Sequence, residues 1–370
     1  MQTNKTDRIL YIGPYREFSG AGNSARNYIQ ALYRAGYNVC ISPIYLTGDV
    51  YPENEISSEI LPLETNYLKK YDIVIQHCHP FDYIQDSRFD LNIGIFQFNS
   101  QDLPKILRSR LNLVDKVISN SNLNTNILRS ILKNIDHSKI CCVPELINEE
   151  LVNEQYTKYD WLKKSDPYVF YTIGDFIPRK NILTLVSAFL KTFTKEDNVQ
   201  LIIKTKPHHL HNNYEILYKE LDYEISKIYD ANKTTKENSP EIKIMMGKFQ
   251  YNKLLNLHFN GSCYVDISMG ENFGYSVLEA ALFNKDIIVN NNISSSEITN
   301  TTYKVSANIS SINDPYTKSF IENNTNDYWM DIDYNDLCSK LKESWMNRYS
   351  NINEYDLSKY FFNKINQLIC

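Results

Sequence analysis

Arg8-Ile9-Leu10-Tyr11-Ile12 is an apolar run typical of a buried β-strand, and Tyr37-Asn38-Val39-Cys40-Ile41 is a second run of the same kind. Residues 24–35, which lie between them, have the apolar spacing of an amphipathic helix. A strand, a helix and a second strand in this order are typical of the β-α-β unit, in which both strands lie parallel in one sheet. The start of the chain therefore predicts an α/β domain.

The same alternation continues along the chain, with one interruption. Further strand-like runs lie at residues 72–76, 92–96, 116–119, 168–172, 199–204, 242–246, 264–267 and 286–290. A polar stretch at 148–167 separates two series of strands. We predict two doubly wound, Rossmann-like domains, residues 1–165 and 166–348, that face each other across a cleft. Residues 349–370 are predicted to form a helix that packs back on the first domain, because Tyr360-Phe361-Phe362 needs burial.

Composition narrows the class of protein. The net charge is −5 and no run of five Lys or Arg residues occurs, which argues against a nucleic-acid partner. The polar opening and the absence of an apolar run of about 20 residues predict neither a signal peptide nor a membrane span. Seven scattered cysteines without a C-x-x-C pair fit a reducing compartment. We expect a cytoplasmic protein, with weak peripheral membrane contact left open.

Ligands of parallel sheets bind at the carboxyl ends of the strands, so the loops that follow the strands are the places to look for a site. The first loop contains Gly20-Ala21-Gly22-Asn23-Ser24-Ala25, whose glycines would let backbone amides approach an anion. Seven residues separate this string from the first strand, and the second strand ends in Ser42-Pro43 without an acidic residue. NAD binding is therefore disfavoured.

Two adjacent cations follow the first strand of the second domain, in Gly174-Asp175-Phe176-Ile177-Pro178-Arg179-Lys180-Asn181. Arg179 offers a planar fork and Lys180 a compact charge, and both suit a diphosphate. Cations at the start of a helix oppose the helix dipole unless an anion binds there. A functional role is therefore favoured over a solvated charge pair.

A strand end, a glycine turn and a helix are combined in Ser268-Met269-Gly270-Glu271-Asn272-Phe273-Gly274-Tyr275-Ser276-Val277-Leu278-Glu279-Ala280. Glu271 is in the turn, and the amides of residues 274–276 head the helix, where they can hold phosphate. Glu279 lies one turn inside. Two interpretations of Glu279 stay open: contact with a ligand, or the carboxylate of a capping box with Ser276.

His77 and His79 follow another strand. Two histidines spaced i, i+2 can ligate a metal, but no carboxylate pair stands at ligand spacing. A histidine beside a cleft more often hydrogen-bonds substrate or backbone. We predict no metal site.

These segments resemble the retaining glycosyltransferases of the GT-B fold, particularly the large family 4. Residues 271–279 resemble the family's E-x7-E motif, and Arg179-Lys180 its diphosphate clamp. Gly247-Lys248-Phe249 stands where relatives contact the base, and Asn99-Ser100-Gln101-Asp102-Leu103-Pro104 is similar to an acceptor-side segment.

The resemblance implies a function for each domain. The second domain would bind a UDP- or GDP-linked sugar as substrate, with no cofactor and no metal, and the first would bind a carbohydrate or other hydroxyl acceptor. Glu271 would contact the sugar, Glu279 the ribose, and Arg179 with Lys180 the leaving diphosphate, which itself acts as the base. The donor-binding residues would be Gly174, Phe249, Gly274, Tyr275, Ser276 and Glu279, and the acceptor-side residues Gly20, Gly22, His77, His79 and Asn99.

Three departures from the family pattern accompany the resemblance. Asp175 replaces a common Arg, Asn284-Lys285-Asp286 replaces a Gly-x-Pro turn, and Asn99 replaces a common His or Glu. Two alternative functions are therefore retained: a sugar-nucleotide epimerase of the same fold, and a catalytically degenerate nucleotide-sugar-binding subunit.

Overall fold

The computed structural model describes residues 7–46, 50, 56–97, 103, 105–133, 135–162, 166–206, 213–299, 303–312, 328–350 and 353–369. These residues form two compact units. The first contains the chain up to Glu149 and the segment from Ser358 onward, and the second contains the described residues between Glu150 and Leu357.

The first unit is built on a six-stranded parallel sheet. Its strands are β1 (Arg8–Gly13), β2 (Asn38–Pro43), β3 (Ile73–His77), β4 (Leu91–Ile95), β5 (Lys116–Ser119) and β6 (Ile140–Cys142). Its main helices are α1 (Gly20–Arg34), α2 (Lys105–Arg110) and α3 (Asn122–Ile131). The strand order is β2-β1-β3-β4-β5-β6, so the direction in which strands are added reverses between β1 and β3.

The second unit is built on another six-stranded parallel sheet. Its strands are β7 (Tyr168–Ile173), β8 (Val199–Thr205), β9 (Glu241–Met246), β10 (Cys263–Asp266), β11 (Asp286–Asn290) and β12 (Tyr303–Val305). An antiparallel pair, β13 (Ala307–Ser311) and β14 (Tyr328–Ile332), follows. The helices are α4 (Ile182–Thr192), α5 (Tyr214–Ala231), α6 (Tyr251–Asn260), α7 (Tyr275–Leu282) and α8 (Tyr334–Met346). The order β12-β11-β10-β7-β8-β9 reverses between β7 and β10.

Helices on both faces explain why the strands are continuous apolar runs, as sequence patterning predicts. All seven residues of β8 are buried, and α4 buries Leu185, Val186 and Phe189 against the same core. Complete burial of one such side chain contributes about 1.5–3 kcal/mol. The predicted fold class, two Rossmann-like α/β domains, is confirmed in the architecture of each unit.

The end of the chain differs from the single helix predicted for it. Two short 3₁₀ turns, Ser358–Tyr360 and Phe362–Lys364, precede a four-residue helix, α9 (Asn366–Ile369). Phe361 is extended and forms a bridge with Ile147, whose amide donates to the Tyr360 carbonyl at 2.8 Å. A continuous helix is incompatible with that pairing. Phe362, Ile365, Leu368 and Ile369 belong to the core of the first unit.

The chain passes into the second unit at Glu150, earlier than residue 166, where the sequence predicts the second domain to begin. Side chains of α6 hold the intervening segment: Asn256 accepts from the amide of Thr157, and Asn260 from that of Tyr159, each at 2.8 Å. The polar composition of the segment does not reveal these bonds. Within the described ranges, the helices lack the combination of length and apolar character that crossing a membrane requires.

Candidate functional site

The turn after β7 and the loop after β10 lie side by side because these two strands are neighbours in the sheet. The amide of Met269 donates to the Arg179 carbonyl at 2.8 Å and ties the turn to the loop. This is the point where the strand order reverses, and open α/β sheets bind ligands at the carboxyl ends of strands at such a point.

Arg179, Lys180 and Glu271 form one ion cluster at this edge. Lys180 Nζ lies 2.5 Å from Glu271 Oε2, and Arg179 Nη1 lies 3.2 Å from the same oxygen. Arg179 also donates to the Gly270 carbonyl. Burial raises the pKa of Glu271, but the charges of Lys180 and Arg179 outweigh burial and lower that pKa to about 2. Glu271 is therefore an anion at neutral pH, and the cluster carries a net charge of +1.

Two glycines give this arrangement the room it needs. A Cβ at Gly174 would lie 3.1 Å from the Lys180 side chain, so the glycine lets the lysine stem pass close to β7. Gly274 has φ of +87° and caps α7, and a Cβ there would lie 2.4 Å from that of Ser295. Only glycine fits that position. The turn at Gly274 places the first residues of α7 at the same edge of the sheet as the ion cluster.

Glu279 does not form the capping box. The N-cap of α7 is Gly274, so Ser276 lies inside the helix and the capping interpretation is wrong. The Glu279 side chain is buried, and its Oε2 lies 3.2 Å from His258 Nε2. Its Oε1 makes no hydrogen bond with any residue that the structure describes. The sequence pattern at 271–279 does not indicate His258, which is on α6.

Phe249 follows β9 and is buried, with an exposed fraction of 7%. The ammonium groups of Lys253 and Lys204 lie 4.0 and 5.4 Å from its ring centroid. Burial lowers the pKa of Lys204 to about 8, and the Asp175 carboxylate opposes that shift. Asp175, one of the departures from the family pattern, therefore acts electrostatically on Lys204.

The departure at residue 284 has a conformational explanation. Asn284 follows α7 in the left-handed region, with φ of +54°. Glycine adopts this conformation most easily, and asparagine is among the residues that tolerate it best. Asn284 can thus replace the usual glycine of this turn without a change of backbone.

In the first unit, the structure separates the roles of the two histidines. His77 ends β3 and is buried, with its Nδ1 2.8 Å from the hydroxyl of Tyr11. Burial lowers the pKa of His77 to about 3, so it is neutral at pH 7. His79 is exposed, and its ring nitrogen caps the turn Pro80–Asp82. In the part of the chain that the structure describes, no group of three His, Cys, Asp or Glu side chains forms a metal-binding cluster.

The glycine string starts α1, which begins at Gly20 and not at residue 24 as the pattern predicts. A Cβ at Gly22 would lie 2.2 Å from the Glu17 carbonyl oxygen, and the Gly22 amide donates to Ser19 Oγ at 3.0 Å. Gly22 thus packs on its own loop, whereas a Cβ at Gly20 would meet open space. Asn99 lies outside the described residues.

Glu145 is a candidate that the sequence patterns do not single out. It follows β6, and its side chain is buried, with an exposed fraction of 1%. Gln97 Nε2 donates to its Oε1 at 3.0 Å. Burial raises the pKa of Glu145 to about 7, although Ser24 and Gln97 oppose the shift. Because β6 has only three residues, its apolar signal in the sequence is weak. A search of the loops that follow predicted strands therefore does not find Glu145.

No protein-family model matches this sequence, and no curated protein matches it. Several solved structures do match. A glycosyltransferase from Rickettsia africae ESF-5 is 14% identical, with a TM-score of 0.61 over 99% of this chain and 94% of that chain. A UDP-forming α,α-trehalose-phosphate synthase from Burkholderia xenovorans is 11% identical, with a TM-score of 0.62 over 98% and 94%. Alr3699/HepE from Anabaena, solved with UDP-glucose, is 13% identical, with a TM-score of 0.56 over 98% of each chain.

These similarities establish the fold, which is that of the GT-B glycosyltransferases with two Rossmann-like domains. At sequence identities of 11–14%, the similarity is evidence for the fold alone.

Glu145→Gln is expected to stabilise the protein at pH 8 and to have little effect at pH 4.5. The folded-state pKa of about 7 is above the ordinary value of 4.5, so the wild type loses stability as pH rises between these values. The predicted gain at pH 8 is about 1–3 kcal/mol. Urea unfolding at both pH values measures it.

Glu64→Gln is the matched control in the same unit. The Arg16 guanidinium lowers the pKa of Glu64, so this change should reduce stability at pH 8. Equal pH dependence of wild type and Glu145→Gln would contradict the prediction.

Proposed function

We propose that this protein is a retaining glycosyltransferase that moves a hexose from a UDP- or GDP-linked sugar to a hydroxyl acceptor, which is a glycan, a lipid-linked acceptor or another hydroxyl compound. The observation that carries the proposal is the cluster of Arg179, Lys180 and Glu271 at the point of strand-order reversal in the second sheet. We also propose that the reaction needs no divalent metal and that the protein works in the cytoplasm, where buried thiols such as Cys40 and Cys263 stay reduced.

The ion cluster suits a substrate that carries both a diphosphate and a sugar. The two cations can stabilise the charge that develops on the leaving diphosphate, and the amides at the start of α7 add hydrogen-bond donors. Glu271 stays ionised and accepts hydrogen bonds from sugar hydroxyls, which are neutral donors. When the diphosphate binds, it competes with Glu271 for the cations, so the carboxylate becomes available to the sugar.

Retention is proposed from the sequence resemblance and from the state of the two carboxylates. A double displacement needs a carboxylate nucleophile about 5 Å from a general acid. Glu271 is held by two cations, and Glu279 is buried beside His258. The leaving diphosphate is then the base: the bond from the anomeric carbon to its oxygen breaks, the acceptor oxygen bonds the same face, and the acceptor proton passes to the diphosphate.

The acceptor is assigned to the first unit. Among the residues predicted there, Gly22 and His79 have local structural roles, whereas His77 stands buried at a strand end. Gly20 faces open space, and Asn99 remains a prediction from the sequence alone. Glu145 adds a buried carboxyl after another strand end of the same sheet.

A screen of nucleotide sugars tests donor binding. UDP-glucose, GDP-mannose and ADP-glucose are added in turn, and thermal unfolding is measured. A donor at 100 times its Kd should stabilise the protein by about 2.7 kcal/mol. Lys180→Ala should reduce that shift, whereas Lys191→Ala, at the far end of α4, should leave it unchanged. The absence of any shift across the panel would count against the proposal.

Lys180→Ala and Glu271→Gln are expected to lower kcat more than they raise the donor KM, because both side chains act on groups that change during bond cleavage. The expected loss is about 10²–10³-fold in kcat for Lys180→Ala. Release of nucleoside diphosphate, with acceptor and with donor alone, measures the rate. Near-normal kcat and KM in both variants would exclude this site. Nucleotide binding without any turnover would favour a binding subunit, and a rearranged sugar nucleotide formed from donor alone would favour an epimerase.

EDTA should leave the activity unchanged, because Arg179 and Lys180 supply the positive charge that a divalent ion supplies to other diphosphate sites. The assay compares initial rates after dialysis against EDTA, with and without added Mn²⁺. Loss of activity that Mn²⁺ restores would refute metal independence.

A further inference from the structure

Three buried polar side chains form a continuous chain beneath the start of α7. The hydroxyl of Tyr171 on β7 lies 2.9 Å from His258 Nδ1, and His258 Nε2 on α6 lies 3.2 Å from Glu279 Oε2 on α7. The exposed fraction is 0% for Tyr171 and His258 and 1% for Glu279. The chain thus links a central strand to the helix that begins at Gly274.

The direction of these hydrogen bonds follows from the chemistry of the groups. A carboxylate oxygen accepts hydrogen bonds, so we assign His258 Nε2 as the donor to Glu279 Oε2. In the tautomer that carries its hydrogen on Nε2, Nδ1 is the acceptor, and the Tyr171 hydroxyl donates to it. Tyr171 therefore selects the tautomer in which His258 can hold Glu279.

Aromatic neighbours hold the imidazole in place. The Phe283 ring is stacked on it at a centroid distance of 6.2 Å, and the Tyr264 ring lies at 5.7 Å. These contacts restrict rotation of His258. As a result, one oxygen of Glu279 has a defined position.

The other oxygen of Glu279 lacks a hydrogen-bond donor among the described residues. Oε1 is buried and makes no hydrogen bond with the described residues. Leaving a buried acceptor unsatisfied is unfavourable, so a pair that served only for packing would be expected to satisfy both oxygens. Glu279 lies about one turn inside α7, near the helix start to which we assign the diphosphate.

We propose that His258 is a positioning residue, set by Tyr171, that holds Glu279 so that its Oε1 accepts hydrogen bonds from the ribose hydroxyls of the donor nucleotide. The proposal rests on the proposed function and on the ribose contact that the family resemblance implies for Glu279; what it adds is the positioning role of His258 and Tyr171. Its consequence is selectivity for a ribonucleotide over a 2′-deoxyribonucleotide, because loss of a hydroxyl leaves the buried oxygen unpaired.

The test measures the affinities of UDP and 2′-deoxy-UDP, and of GDP and 2′-deoxy-GDP, by calorimetry. For the nucleotide that it binds, UDP or GDP, the wild type should prefer the ribonucleotide over its 2′-deoxy form by roughly 10–100-fold. This is the range for a hydrogen bond to a charged group. Glu279→Gln and His258→Phe should remove most of that preference. His258→Gln, whose amide can still donate to Glu279, should restore part of it. Lys180→Ala is the matched control, because it should weaken both nucleotides of a pair equally.

The result that would overturn the inference differs from the result that would overturn the proposed function. A folded His258→Phe variant that keeps the wild-type preference overturns the positioning role, as does a wild type that binds both nucleotides of a pair equally. Failure of the wild type to bind either UDP or GDP overturns the proposed function itself. If His258→Phe does not fold, Tyr171→Phe decides: a reduced preference with little loss of stability supports the role, and an unchanged preference refutes it.

Discussion

The pairing of β7 with β10 brings together residues that are about 90 positions apart in the chain. Two further strands lie on each side of this pair in the sheet, so both strands are central, and most of their residues are buried. Their carboxyl ends present two short loops to each other. One loop carries Arg179 and Lys180, and the other carries Glu271, so the ion cluster depends directly on the register of two buried strands.

The two carboxylates of the 271–279 segment differ because their surroundings differ. Glu271 meets two cations, whose charges hold its pKa at about 2 despite burial. Glu279 meets a histidine that Tyr171 orients, and it keeps one oxygen without a partner among the described residues. Two glutamates on one short segment thus have different surroundings, which agree with the different roles that we propose for them.

The carboxyl edges of the two sheets also differ in charge. In the second unit, the charges of Lys180 and Arg179 keep Glu271 ionised. In the first unit, burial favours the neutral forms of His77 and Glu145, lowering the pKa of one to about 3 and raising that of the other to about 7. The more charged edge is the one to which we assign the diphosphate in the proposed function, and the less charged edge is the one to which we assign the acceptor hydroxyl.

The sequence alone determined the fold class and which segments make up the proposed donor site, because both depend on local patterns. Buried parallel strands are continuous apolar runs, and the loops at their carboxyl ends contain Arg179-Lys180 and residues 271–279. The tertiary structure alone decided the roles of single side chains. The partner of Glu279 is a histidine on another helix, the carboxyl of Glu145 follows a strand too short to leave a clear pattern, and Phe361 pairs with Ile147 where a helix was predicted. Each of these depends on contacts between residues distant in the chain, for which periodicity and spacing carry no signal.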